Sequence, residues 1–136
     1  MKNNYFFKSQ FSNIYKRPSR QSEVSSQILY GEKFKILSKN KNWIKIKTSF
    51  DNYIGYIKNA KYKTSHESSH KVYILKASIY NKPNKKSKNF LPFGSKISII
   101  KENKNFIEFE KNKWLRKRDI KDINHKKEFV KLFKLF

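Results

Sequence analysis

Two short stretches of the chain alternate apolar and polar residues. Lys33 to Leu37 runs K-F-K-I-L and Trp43 to Lys47 runs W-I-K-I-K. A period of two places one face of a strand on a core and the other in water, so both stretches predict half-buried β-strands. The polar run S-K-N-K-N between them reads as a turn, and Phe50-Asp51-Asn52 as a second turn leading into a Y-I-G-Y-I strand. Gly55 inside that strand predicts a bulge or a close approach of another backbone. Further on, I-S-I-I at 97–100, F-I-E-F-E at 106–110 and Trp114-Leu115 predict a similar series. Short strands at close intervals, separated by turns, predict small antiparallel barrels, because closing a sheet removes its exposed edges.

The series occurs twice. Ile14, Tyr15 and Pro18 answer to Ile79, Tyr80 and Pro83. Gly31 and Trp43 answer to Gly94 and Phe106 at an offset of 63, and Tyr56, Ile57 and Tyr62 answer to Trp114, Leu115 and Ile120 at an offset of 58. The change of offset marks a clipped hairpin: Phe106 to Trp114 is eight residues, where Trp43 to Tyr56 is thirteen. A unit of this length is too long for a solenoid repeat and suits a domain with its own core. The expected fold is all-β, with two tandem small barrels at about 5–63 and 70–120. The polar K-T-S-H-E-S-S-H at 63–70 is the expected linker. Residues 121–136 form an expected C-terminal helix, with Phe129, Leu132, Phe133 and Phe136 at helical spacing and Asp122 or Asn124 as its cap. That helix ends on its apolar residues and reads either as a severed interface to a further domain or as an element folded back onto the second barrel.

Composition sharpens this. Modules this small bury only about 60% of the surface their unfolded chains expose. The chain has no cysteine to staple them, which also excludes a thiol nucleophile and a thiolate zinc site. Twelve Phe, eight Tyr and two Trp supply bulky core material instead. The net charge of +23 ensures non-specific adhesion to polyanions at low salt. The charge is spread along the chain and is mostly Lys rather than the Arg that base readout favours, so a basic nucleic-acid-binding protein is the alternative reading and not the first. The amino terminus lacks the apolar core of a secretory signal, and no run approaches the ~20 apolar residues of a membrane span. The expectation is a soluble, cytoplasmic chain.

Motifs for catalysis are few. His66-Glu67-Ser68-Ser69-His70 has the H-E-x-x-H spacing of zinc peptidases. That chemistry needs both imidazoles on one face of a docked helix, and these residues have two serines inside and a strand directly after. No Gly-x-Ser-x-Gly and no glycine-rich phosphate loop occurs. The chain by itself is expected to be no enzyme and to need no metal or cofactor. The rare acidic residues are more telling: Glu23, Glu32 and Asp51 are all that the first module holds. A carboxylate beside exposed tyrosines would suit a cationic ligand such as the free amine of a peptide. The other reading is that Glu32 pairs with a neighbouring lysine and that the tyrosines are core.

The motifs R-P-S, I-L-Y-G-E-K-F-K-I-L, N-K-N-W-I-K-I-K, D-N-Y-I-G-Y-I and S-H-K-V-Y, in this order, resemble the paired bacterial SH3-like domains that precede NlpC-type cysteine peptidases. L-P-F-G-S-K-I-S-I-I and K-W-L-R-K-R-D-I resemble the second of those domains, and K-K-E-F-V-K-L-F-K-L-F resembles the helix that opens the peptidase domain. The resemblance covers about residues 5–136. It implies a role with cell-wall peptides, because such enzymes cleave γ-D-glutamyl–diamino-acid bonds in murein peptides. It further implies that the first SH3-like domain selects peptides with a free N-terminal L-Ala through a Glu and a Tyr. By position in the motifs these are Glu32 and Tyr53, and the full candidate set is Glu32, Tyr53, Asp51 and Tyr30. The implied partners are a murein peptide and, through the terminal helix, a catalytic peptidase domain. The catalytic Cys and His of that domain are absent, so the chain reads as a truncated product or as part of a longer enzyme.

Overall fold

The structure is a computed structural model and describes residues 4–124. The chain divides into two compact units, Met1–His66 and Glu67–Phe136. Among the described residues both are all-β with antiparallel pairing, and no α-helix occurs; the one helical element is a 3-10 turn at Lys117–Asp119. None of the described helical structure is long and apolar enough to cross a membrane.

The first unit has seven strands: β1 (Asn4–Phe7), β2 (Phe11–Tyr15), β3 (Val24–Leu29), β4 (Lys33–Lys39), β5 (Trp43–Thr48), β6 (Ile54–Lys58) and β7 (Tyr62–Lys63). They form one sheet in the order β3-β2-β6-β5-β4-β1-β7. The alternation read in the sequence decides which face is inside. Ile44, Ile46 and Thr48 are buried on β5, while Trp43, Lys45 and Lys47 are only partly covered. The core is Phe7, Ile14, Ile28, Phe34, Ile44, Ile46 and Ile57, with Tyr5, Tyr53 and Tyr62 packed at its margin. Gly55 lies where a side chain would not fit. A Cβ there would come within 2.4 Å of Ile14 Cγ2 and 2.9 Å of the Tyr15 carbonyl oxygen, so the close backbone approach expected at this glycine is found.

Among the described residues the second unit has eight strands: β8 (His70–Val72), β9 (Lys76–Lys82), β10 (Lys85–Pro92), β11 (Lys96–Ile97), β12 (Lys101–Glu102), β13 (Phe106–Glu110), β14 (Lys113–Arg116) and β15 (Ile120–Asp122). They form two sheets, β10-β9-β14-β13-β12 and β11-β8-β15. This is the strand order of the first unit with the counterpart of β4 broken in two. The continuous strand expected at 97–100 is therefore interrupted after Ile97. The first unit has only a register shift between Ile36 and Ser38 at the corresponding place. Leu37 and Ile100, one at each irregularity and 63 residues apart, are turned outward at 47% and 58% exposure.

The hydrogen bonds correspond as closely as the strands. Phe7 donates to the Glu32 carbonyl and Gly31 donates to Phe7. Val72 donates to Ser95 and Gly94 donates to Val72. Asn40 and Asn103 each accept, through the side-chain oxygen, from the backbone N–H groups two and three residues on, opening β5 and β13 alike. The aromatic ring pairs also correspond. Tyr15 meets Trp43 edge-on at 5.6 Å and Tyr80 meets Phe106 at 5.0 Å. Tyr15 faces Tyr56 across one ladder, as Tyr80 faces Trp114 across the other. Phe106 is buried, and Trp43, Tyr56 and Trp114 are half-buried.

The expected C-terminal helix needs correction at its start. Ile120–Asp122 is strand β15, paired with β8, and the Asp122 carboxylate accepts from Asn124 N–H in a turn (2.9 Å). Pairing of Ile120 with Val72 overrides the capping signal there. Residues 125–136 lie outside the described residues.

Candidate functional site

Glu32 closes the turn from β3 to β4. Its N–H donates to the Leu29 carbonyl at 3.0 Å, and its Oε1 accepts from the Leu29 N–H at 2.7 Å. Gly31 takes φ +83°, a left-handed conformation that a side chain disfavours and that this tight turn requires. Backbone hydrogen bonds to Phe7 on both sides of the turn hold Glu32 in place.

Asp51 sits on the β5–β6 hairpin, where Asn52 takes φ +57°. Thr48 organises the loop. Its hydroxyl donates to Asp51 Oδ1 and accepts from Tyr53 N–H at 2.9 Å, while its own N–H donates to the Tyr53 carbonyl at 2.8 Å. Ser49 N–H donates to the Lys33 carbonyl at 3.0 Å and ties the hairpin to the strand that begins beside Glu32. Two local turn motifs thus bring two carboxylates distant in sequence to one place.

They line a groove of about 610 Å³ whose other walls include Val24, Ser25, Thr48 and Phe50. Phe50 is 84% exposed, an aromatic ring standing in water at the rim. Carboxylate oxygens accept and do not donate when ionised, so a groove with two of them, in a chain of net charge +23, suits an ammonium or another cationic donor. Phe50 and Val24 offer apolar contact for a small side chain next to that charge. Among the described residues there is no group of three or more His, Asp or Glu that could hold a metal ion.

The four candidate residues separate. Glu32 and Asp51 line the groove. Tyr53 is half-buried, held by Thr48 and packed against the core, and it is not among the groove-lining residues. Tyr30 is 2% exposed and is core; its ring meets His66 edge-on at 6.0 Å and lies beneath the Lys8 ammonium. The reading of the tyrosines as core therefore holds for Tyr30, because the turn at Gly31 sends its side chain inward. Phe50, Val24 and Ser25 line the groove as well. For Phe50 a signal existed: a large aromatic in an otherwise polar hairpin, next to one of the few carboxylates.

The H-E-x-x-H segment is not helical. His66 closes the first unit, where Nδ1 takes a hydrogen bond from Lys8 Nζ at 2.6 Å, and His70 begins strand β8. Without the helix, the spacing of four residues does not deliver two imidazoles to one face.

Among the described residues, the second unit lacks both carboxylates at the matching positions. At the turn matching Leu29–Glu32, Ser95 is buried and donates its hydroxyl to the Pro92 carbonyl at 2.8 Å. The β13–β14 hairpin is reduced to Lys111-Asn112, with the Asn112 N–H held by Glu108 Oε2 at 2.7 Å, and nothing stands in the places of Phe50 and Asp51.

Residues 14–61, which carry both carboxylates, match the family model described as the bacterial dipeptidyl-peptidase SH3 domain. No curated protein matches the sequence significantly. Among solved structures, an NlpC/P60 family protein from Bacillus cereus aligns at TM-score 0.69 and 13% identity, over 88% of this chain and 56% of that one. At that identity the likeness is one of fold. The NlpC2 structure from Trichomonas vaginalis aligns over 89% of this chain and 48% of that one, at 12% identity and a TM-score of only 0.37. The chain thus spans about half the length of the solved structures it matches.

Proposed function

We propose that the chain is a non-catalytic peptide-recognition region made of two tandem SH3-like barrels. In this reading the first barrel captures the free amino terminus of a cell-wall peptide, as the substrate-gating part of an NlpC-type γ-D-glutamyl–diamino-acid peptidase. The observation that carries it is the meeting of Glu32 and Asp51 in one groove, within the segment that matches the dipeptidyl-peptidase SH3 model. The shared strand order and the paired hydrogen bonds of the two units support the tandem arrangement. An N-terminal alanine fits the groove's chemistry, since its ammonium meets the carboxylates and its methyl meets Val24 and Phe50. The second barrel, with Ser95 and a clipped hairpin, is a supporting domain. The absence of cysteine from the chain leaves a cysteine-peptidase step to a domain outside it.

The test is calorimetric titration of the full chain with L-Ala-γ-D-Glu-diaminopimelate and with its N-acetyl form, at about 150 mM salt to suppress phosphate-type adhesion. Saturable binding that acetylation weakens by about tenfold or more is expected, because a hydrogen bond to a charged group is worth ~1.5–3 kcal/mol. Equal binding of both forms overturns the reading. So does silence toward both together with RNA binding that survives that salt.

A further inference from the structure

A second cavity, about 300 Å³, flanks the same hairpin on its other side, lined by Lys33, Lys35, Lys47 and Asn4 with Ser49 and Asn52 of the loop. The sheet register builds it. Asn4 stands opposite Lys35 across β1 and β4, and Lys35 stands opposite Lys47 across β4 and β5. These three side chains therefore form one row on the face away from the core, and Lys33, two residues along β4, shares that face. No carboxylate lines this cavity. Like charges directly opposite each other on neighbouring strands are destabilising, so the Lys35–Lys47 pair is a standing cost without a counter-charge. An anion in the cavity offsets that repulsion by accepting from the ammonium groups that line it.

Thr48 belongs to both cavities, and Glu32 adjoins Lys33 in sequence. The 48–52 hairpin thus separates an acidic groove from a basic one. We propose that the basic cavity is a carboxylate subsite, and that the first unit reads a zwitterionic peptide by holding its ammonium at Glu32 and Asp51 and a carboxylate at Lys33, Lys35 and Lys47. This rests on the reading of the acidic groove as an amine site, and it adds the second pole of the ligand.

Two modified peptides separate the poles in a backbone-amide NMR titration of the full chain. N-acetyl-L-Ala-γ-D-Glu-2-aminopimelate keeps the carboxylates and has neither the alanine amine nor the distal amine of diaminopimelate. L-Ala-γ-D-Glu-2-aminopimelate with every carboxyl amidated keeps the alanine α-amine alone. The N-acetyl form is expected to shift the amides of Asn4, Lys35 and Lys47, and the amidated form those of Glu32 and Asp51. In K35Q/K47Q the first set of shifts should vanish and affinity for the unmodified peptide fall about tenfold, with recovery in K35R/K47R. If the amidated peptide binds as well as the unmodified one, the carboxylate subsite is wrong while the amine site stands. If the N-acetyl form shifts the lysine set and the amidated form shifts nothing, the amine site is wrong while the carboxylate subsite stands. Absence of shifts at the lysine set with any peptide overturns the inference.

Discussion

Gly55 and Thr48 show how single positions hold the groove in shape. Any side chain at residue 55 meets Ile14 and the Tyr15 backbone, and backbone cannot swing aside as a flexible side chain would. Gly55→Ala is expected to destabilise the first unit by about 1–3 kcal/mol, the usual range for overpacking, and urea unfolding with an unchanged m-value would register it. Thr48 serves Asp51 and Tyr53 N–H with one hydroxyl. Thr48→Val keeps the shape and leaves both partners short of a hydrogen bond. It should cost about 1–3 kcal/mol and weaken peptide binding as well, because Asp51 loses its anchor. Thr48→Ser, which retains the hydroxyl, should restore most of both.

At the scale of elements, the β5–β6 hairpin distinguishes the two units. Residues 49–53 form its loop, where the β13–β14 hairpin has only Lys111-Asn112. Replacing them with the Lys111-Asn112 turn of the second unit should abolish peptide binding while leaving a cooperative unfolding transition. The loop supplies Asp51 and Phe50 to the groove and only Tyr53 to the margin of the core. In the second unit, Arg116 holds Asp119 through Nε at 3.0 Å and Nη2 at 3.3 Å, and that contact keeps the Arg116 pKa above its usual value. Asp119 is almost fully buried while Arg116 is partly in water. Arg116→Met should therefore cost about 1–3 kcal/mol, short of the loss for a fully buried pair, and differential scanning calorimetry would show it. Much at this scale was legible in the sequence. The alternation at 33–37 and 43–47 and the glycine at 55 correspond to strands β4 and β5 and to the close approach on β6. Two features were not legible: the break after Ile97 and the strand at Ile120–Asp122. Each depends on a partner strand or a turn dihedral, whereas periodicity reports only which residues share a face. Glu32 and Asp51 were readable as rare carboxylates. That they share one groove follows from the Ser49–Lys33 hydrogen bond, a tertiary contact with no trace in local pattern.

For the whole molecule the question is whether a chain of net charge +23 recognises a cation-bearing peptide through a local patch of the opposite sign. Long-range charge disfavours the approach of the ligand's ammonium, so specificity has to come from short-range contacts at Glu32 and Asp51. The half-buried Glu32 is screened by salt less than the surface field is. Peptide affinity should therefore fall far less steeply between about 50 and 200 mM salt than any RNA affinity, which should drop by orders of magnitude over the same range. The measurement that tests the central claim most directly is a double-mutant cycle between protein and ligand. It pairs wild type and Glu32→Gln with L-Ala-γ-D-Glu-diaminopimelate and its analogue lacking the α-amine, all four affinities being read by calorimetry. The account predicts a coupling of roughly 1.5–3 kcal/mol, the worth of a charge-assisted hydrogen bond between that carboxylate and that ammonium. Additive losses, with no coupling beyond about 0.3–0.5 kcal/mol, would contradict it.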